Sequence, residues 1–209
     1  MGSILITKPA SQDTTGLETK VNILRSHCIN MVIPGLYIGS QFAAGHRDAI
    51  VGISDPDAET RLRNLGITNI LCVTNDLPDL YPNTFHYKHI GMSDTATFNL
   101  LNRLDETFTY IDTVLKGTGK SIGHNGENAT GSAETQSQNN VLVHCQVGMS
   151  RSAAVVMAYL MKKKGWTFEY SYKFLKEKRS MVTEKSFGEQ LREYQDILGI
   201  ETETHRVQY

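Results

Sequence analysis

Apolar residues along this chain fall into two kinds of run: short β-rich stretches closed by turn residues, and longer stretches that repeat at three and four residue steps. Leu36-Tyr37-Ile38-Gly39, after Pro34-Gly35, predicts a short strand. Thr68 to Thr74 predicts a central strand, and Thr84 to Ile90 another, broken by Gly91-Met92-Ser93-Asp94. Leu77 to Asn83 carries two prolines and is loop. Val141-Leu142-Val143 is a further β-rich run.

Helical patterns separate these runs. Leu17 to Ile29 holds a short helix; Asp55 is a candidate N-cap, with Pro56 at the first helical position and Gly66 as the stop. Leu101, Leu104, Phe108, Ile111 and Leu115 form one apolar stripe, a core face. The stretch from Ala153 to Lys164 is apolar all round and so predicts a buried helix, ended by three lysines and Gly165. Thr167 caps a helix to about Lys178, and Phe187 to Leu198 forms the last one before Gly199. Strands alternating with helices predict an α/β fold: a central mixed, mostly parallel sheet flanked by helices on both faces.

At 209 residues the chain suits one domain with its own core. The organisation expected is an N-terminal segment at 1–30, partly flexible, a main domain at 31–200 and a tail at 201–209. Residues 117–140, dominated by Gly, Ser, Thr, Asn and Gln, read as a disordered insertion in that domain. Charge is nearly balanced, 21 basic against 22 acidic residues, so no basic field asks for nucleic acid. No apolar run approaches membrane-spanning length, and the seven histidines show no ligand-like spacing, so neither membrane nor metal is expected. Met1-Gly2-Ser3 resembles the start of a myristoylation signal, but Ile6 stands where Ser or Thr belongs. Three cysteines without a leader-like opening point to a reducing compartment.

The chemistry is concentrated in His144-Cys145-Gln146-Val147-Gly148-Met149-Ser150-Arg151-Ser152. A strand, this short loop and a helix in that order place the loop's N–H groups at a helix N-terminus, where a phosphate dianion binds. Gln146 to Arg151 form the phosphate-binding loop. Cys145 opens it, where the helix field and converging N–H groups favour a thiolate. Arg151 closes it with a planar fork matched to two phosphate oxygens. A thiolate beside a held phosphoryl group is a nucleophile aimed at phosphorus, so the motif predicts a cysteine phosphatase. A buried structural cysteine beside a surface arginine is the plain alternative, and motif and context together argue against it. An acid for the leaving group is sought among Asp94, Asp76, Asp79 and Asp105; only Asp94 follows a strand end directly and precedes the helix of Leu101.

With these residues in place, about Met31 to Leu198 resembles the dual-specificity phosphatases of the cysteine-dependent tyrosine phosphatase superfamily. Ile33 to Ser40 is similar to the family's first strand and Gly66 to Leu71 to its central one. Ala158-Tyr159-Leu160-Met161, Lys178-Arg179-Ser180 and Gln190-Leu191 resemble the MAP kinase phosphatase branch most. The resemblance implies Cys145 as nucleophile, Arg151 as phosphate clamp and Ser152 as the hydroxyl that steadies the leaving thiolate. It implies His144 as the residue whose hydrogen bonds help hold Cys145 ionised, and Asp94 as general acid. It further implies hydrolysis of phosphotyrosine and phosphoserine/threonine in proteins, no cofactor, a cytoplasmic or also nuclear location, and a MAP kinase among candidate substrates. Glu184-Lys185 stands where the family commonly has Pro-Asn, a departure in the pocket wall. Cys72 occupies a place where related phosphoinositide phosphatases carry a cysteine that pairs with the nucleophile; the resemblance makes it a candidate redox partner, against the plainer reading of a small core residue.

Two rival functions stand beside this one. A phosphoinositide or other non-protein phosphatase would want lysines in the loop, where Gln146 and Met149 are neutral. A non-catalytic phosphate-binding module would be expected to lack the nucleophile or the acid, and candidates for both are present.

Overall fold

The computed structural model describes residues 14–117 and 139–201. Helix α1 (Thr14–His27) leads into strands β1 (Ile29–Ile33) and β2 (Leu36–Gly39), then α2 (Ala58–Asn64), β3 (Ile67–Cys72) and β4 (His86–His89). Helix α3 (Leu101–Leu115), strand β5 (Asn140–His144), and helices α4 (Arg151–Lys164), α5 (Phe168–Lys178) and α6 (Gly188–Ile197) complete it. The five strands form one sheet in the order β1-β2-β5-β3-β4. Only β1 runs antiparallel to its neighbour; the other three pairings are parallel. The mixed, mostly parallel α/β fold is therefore present.

Both faces of the sheet are covered, as parallel strands require. On one side α3, α4, α5 and α6 pack a large apolar core in which every residue of α4 from Ser152 to Met161 is buried. On the other, Val21 of α1 and Leu62 of α2 close over Ile70 and Leu142. The lysines that end α4 are solvated at their tips, and two also tie α4 to α3: Lys162 pairs with Asp105 and Lys163 with Asp112. Gly165 adopts φ +66° and ends the helix. Thr167 caps α5, its Oγ1 accepting from the Tyr170 N–H at 3.2 Å.

Several expectations need correction. The chain from Ile29 to Ile33 is a strand, not the end of a helix, and Gly35 at φ +82° turns it back onto β2. The run from Thr68 does form a central strand, β3, flanked by β5 and β4. Helix α2 starts at Ala58 rather than Pro56, and Asp55 is not its cap. The fully buried Asp55 carboxylate instead receives Arg25 and Arg61, bolting α1 to α2. These charges hold it below the ordinary carboxylate range although burial alone would raise it. Helix α4 begins at Arg151, two residues before the apolar run. Of the expected insertion, Gly117 closes α3 and Asn140 opens β5; residues 118–138, like 1–13 and 202–209, lie outside the described residues.

Candidate active site

The four parallel strands all end at one edge of the sheet: the register sets Gly39 of β2 and Cys72 of β3 beside His144 of β5, and His89 of β4 beside Cys72. The carboxyl ends of parallel strands are where α/β sheets build their sites, because the following loops converge there. A cleft of about 410 Å³ opens at this edge, with wall residues from all four loops: Gln41, Asp76, Asp94, Gln146 and Arg151 among them.

The loop from Cys145 to Ser150 is turned inside out relative to an ordinary turn. His144 Nδ1 donates to the Cys145 carbonyl at 3.3 Å, and the Gln41 N–H to the Gln146 carbonyl at 3.1 Å. Arg179 donates from Nη2 to the Val147 carbonyl at 3.0 Å and from Nε to the Gly148 carbonyl at 2.6 Å. The Thr183 N–H takes the Met149 carbonyl at 3.1 Å, and the Ala154 N–H the Ser150 carbonyl at 2.8 Å. With every carbonyl drawn outward, the N–H groups face inward. That of Gly148 donates to Cys145 Sγ at 3.2 Å. Those of Gln146, Val147, Met149, Ser150 and Arg151 have no acceptor among the described residues, an anion cradle at the N-terminus of α4. Gly148 makes the turn possible: its φ is +79°, and a Cβ there would stand 2.6 Å from the Gly39 carbonyl oxygen.

Cys145 is 2 % exposed, its sulfur between the Gly148 N–H and the Ser152 hydroxyl at 3.3 Å. Both groups can donate to a thiolate. His144 is wholly buried, and desolvation holds its imidazole down to about 3, so it works as a neutral hydrogen-bond donor and adds no charge. Arg151 lies along the cleft wall, Nη1 donating to the Met92 carbonyl at 3.3 Å and Nε 3.5 Å from Asp94 Oδ2. Asp94 Oδ1 accepts from the Ser150 hydroxyl at 2.6 Å, so Ser150 leaves the α4 N-terminus uncapped and its N–H groups free. Of the competing carboxylates, Asp79 pairs with His89 and Asp105 with Lys162; Asp76 lines the cleft. Among the described residues no cluster of His, Cys, Asp and Glu could hold a metal ion. Cys72 is buried in β3, its thiol 3.1 Å from Thr74 Oγ1, and desolvation pushes it up from the ordinary thiol range.

Two positioning residues escaped the sequence reading. Arg179, 4 % exposed, also donates from Nη1 to the His27 carbonyl and to Asn30 Oδ1, so one guanidinium joins α1, β1 and the loop. Gln190 of α6 holds the segment after Asp94: Nε2 donates to the Phe98 carbonyl at 2.9 Å and the Ala96 carbonyl at 3.4 Å, and Oε1 accepts from the Leu100 N–H at 2.7 Å. In the sequence each stands only within a segment that resembles the family, with nothing local to mark its role.

The geometry agrees with what known proteins show. Residues 128–197 match the family described as dual specificity phosphatase, catalytic domain. A Slingshot phosphatase homologue of Xenopus laevis is 32 % identical over 175 residues, 83 % of this chain and 21 % of that protein. Dual specificity protein phosphatase 4 of Gallus gallus is 33 % identical over 165 residues, 78 % of this chain and 36 % of that protein. The chain thus spans roughly a fifth to a third of the length of these curated relatives. Among solved structures, human DUSP28 superposes with TM-score 0.62 at 25 % identity, covering 82 % of this chain and 95 % of that one. A human tyrosine phosphatase-like serine/threonine/tyrosine-interacting protein superposes with TM-score 0.64 at 24 % identity, covering 81 % and 96 %.

Proposed function

The chain belongs to the dual-specificity phosphatase family, and from that premise we propose that it hydrolyses phosphotyrosine and phosphoserine/threonine in proteins through a phosphocysteine intermediate. The observation that carries the proposal is the cradle of inward N–H groups around Cys145 Sγ, built on six outward carbonyls. A phosphoryl group held there presents phosphorus to the sulfur. The Cys145 thiolate attacks and the phosphoester bond breaks, while the N–H groups and Arg151 take up charge on the equatorial oxygens. To do so Arg151 leaves the Met92 carbonyl for the ligand. Asp94 gives its proton to the departing oxygen, then as a carboxylate accepts one from the water that cleaves the phosphocysteine. Ser152 donates to the sulfur as it leaves.

The proposed setting is cytoplasmic, with nuclear action also open to it, and three free thiols are consistent with a reducing compartment. A MAP kinase is one substrate to test. Cys72, the cross-strand register partner of His144, the residue before the nucleophile, is proposed as a resolving thiol: peroxide converts Cys145 to a sulfenic acid, and the Cys72 thiol displaces water to give a disulfide. Cys72→Ser should then recover poorly with dithiothreitol; full recovery leaves Cys72 as packing alone.

The decisive assay is a chromogenic aryl phosphate and doubly phosphorylated Thr/Tyr peptides on wild type and Cys145→Ser. Turnover should fall below about one per cent in the variant, since an alcohol there is scarcely ionised at neutral pH. Residual turnover above that names another nucleophile, and activity confined to phosphoinositides rejects the protein substrate.

A further inference from the structure

A second cleft opens on the opposite flank of the phosphate-binding loop. Leu24 of α1, Ile50, Val51 and Met181 form its walls, and Gln146 and Val147 of the loop its inner edge. Gln146 lines the catalytic cleft as well, so the two depressions meet across one residue.

The wall at Ile50 and Val51 is held in a fixed display. Asp48 Oδ1 accepts from the N–H groups of Ile50 at 2.9 Å and Val51 at 2.7 Å. The Asp48 N–H donates to the Ile53 carbonyl at 2.7 Å, and the Gly52 N–H to the Asp48 carbonyl at 3.0 Å. Arg47 Nε donates to the Gly52 carbonyl, and Gln41, beside the catalytic cleft, to the Arg47 carbonyl. The turn owes its order to these polar bonds, and its apolar side chains face water: Ile50 is 79 % exposed and Val51 48 %, with Met181 39 % exposed. Ordered apolar groups left in water beside a catalytic cleft mark a contact surface.

We propose that this second cleft is a substrate subsite, taking the bulky apolar side chain of a residue that flanks the phosphorylated residue of a phosphoprotein. The inference rests on the phosphatase reading and adds a sequence preference to it. The cleft's volume of about 130 Å³ suits one side chain, since apolar cavities of about 150 Å³ take up a benzene-sized group. Two of its charged lining groups are already engaged, Asp48 by two N–H groups and Arg179 by three carbonyls and Asn30, and the exposed His27 has its Nδ1 bonded to Ser26 Oγ and the Ile23 carbonyl, so the apolar walls are what the cleft chiefly offers a ligand. A chain whose phosphate sits among the loop N–H groups has only Gln146 to cross before reaching the apolar walls. Burying one Leu- or Phe-sized side chain raises kcat/KM on the order of ten- to hundredfold.

The test uses the whole chain and phosphotyrosine peptides, identical except for one Leu moved through three positions on either side of the phosphotyrosine in an Ala background. The expected result is one position that raises kcat/KM about tenfold or more. The Ile50→Asp/Val51→Asp double variant loses that gain while hydrolysing a small aryl phosphate at the wild-type rate; Ile50→Ala/Val51→Ala, a milder change, loses part of it. Equal kcat/KM for all peptides, or a Leu preference that survives in both variants, overturns the subsite. Loss of binding to phosphatidylcholine/phosphatidylserine vesicles, or of a dimer, with peptide preference intact makes the occupant a lipid or a second copy and also refutes it. Absence of turnover on peptides and aryl phosphate alike removes the phosphatase reading and the subsite with it, a different failure from active but indifferent hydrolysis.

Discussion

Arg179→Lys tests whether the catalytic loop is held open from behind. The native guanidinium makes four hydrogen bonds, to the carbonyls of Val147, Gly148 and His27 and to Asn30 Oδ1, at 2.6–3.0 Å. Its side chain is buried, and so is its bond to the Gly148 carbonyl, an acceptor with no water to turn to. Lysine keeps the charge, but a single ammonium cannot span acceptors that a planar fork reaches on three sides. Each buried carbonyl left without a donor costs about 1–3 kcal/mol, not additively, and breaking a buried charged cluster costs about 3–5 kcal/mol. For a domain of this size that is a melting temperature lower by roughly 6–20 °C. Carbonyls released at Val147 and Gly148 can rotate inward, where they repel phosphate oxygens, so kcat/KM falls on the order of 10²-fold. Thermal melting, aryl phosphate kinetics and the affinity for inorganic vanadate are measured together, with Arg179→Ala alongside. A variant that melts within about 2 °C of wild type and binds vanadate equally well would show that the loop shapes itself.

Three further outcomes are expected. Asp94→Asn slows aryl phosphates with poor leaving groups far more than activated ones, because only the former need a proton; equal losses shift the acid role to Asp76, which shares the cleft. Gln190→Leu frees the Ala96–Leu100 backbone and produces a weaker version of the same leaving-group dependence, about tenfold in kcat on poor leaving groups; an unchanged leaving-group slope excludes Gln190 from positioning the acid loop. The third concerns pH: His144 stays neutral in the folded chain down to about 3, whereas the unfolded chain takes up its proton below the ordinary 6.5. Its contribution to stability is complete above 6.5 and is lost as pH falls toward 3, by at most about 1.4 kcal/mol per unit. Unfolding free energies from urea titrations at pH 7 and pH 5 should therefore differ by roughly 2 kcal/mol less in His144→Gln than in wild type, and identical pH slopes would contradict a buried neutral imidazole.

Much of the site was legible because its parts are adjacent in sequence. Cys145 to Ser152 carry their meaning in spacing alone, and the apolar runs around them name the strand and helix. What stayed hidden was decided by contacts across the chain. Strand β1 buries only Val32 and shows no alternation, so only its pairing with β2 identifies it. Asp55 has the residue type and place of a helix cap, but two arginines, 30 residues before it and 6 after, claim its carboxylate. Arg179 ends the run Lys176-Glu177-Lys178-Arg179, which looks like any solvated face. Nothing local says that its last member points inward. Gln190 is equally silent: a polar residue on an amphipathic helix, whose hydrogen-bond partners are 90 or more residues away.

The outward-drawn carbonyls of the phosphate-binding loop also bear on how the site comes into being. Four of the six take donors from afar, at Gln41, Arg179 and Thr183, and Arg179 is anchored by His27 and Asn30, contacts separated by 31 to 152 residues. Closures over such spans are entropically expensive and belong late in folding, after the local helices. A half-folded chain, whether emerging from synthesis or opened by stress, therefore carries an ordinary cysteine with no cradle about it. Nucleophilic power at Cys145 arrives together with the completed native topology, which makes activity and structural integrity a single cooperative property of this chain.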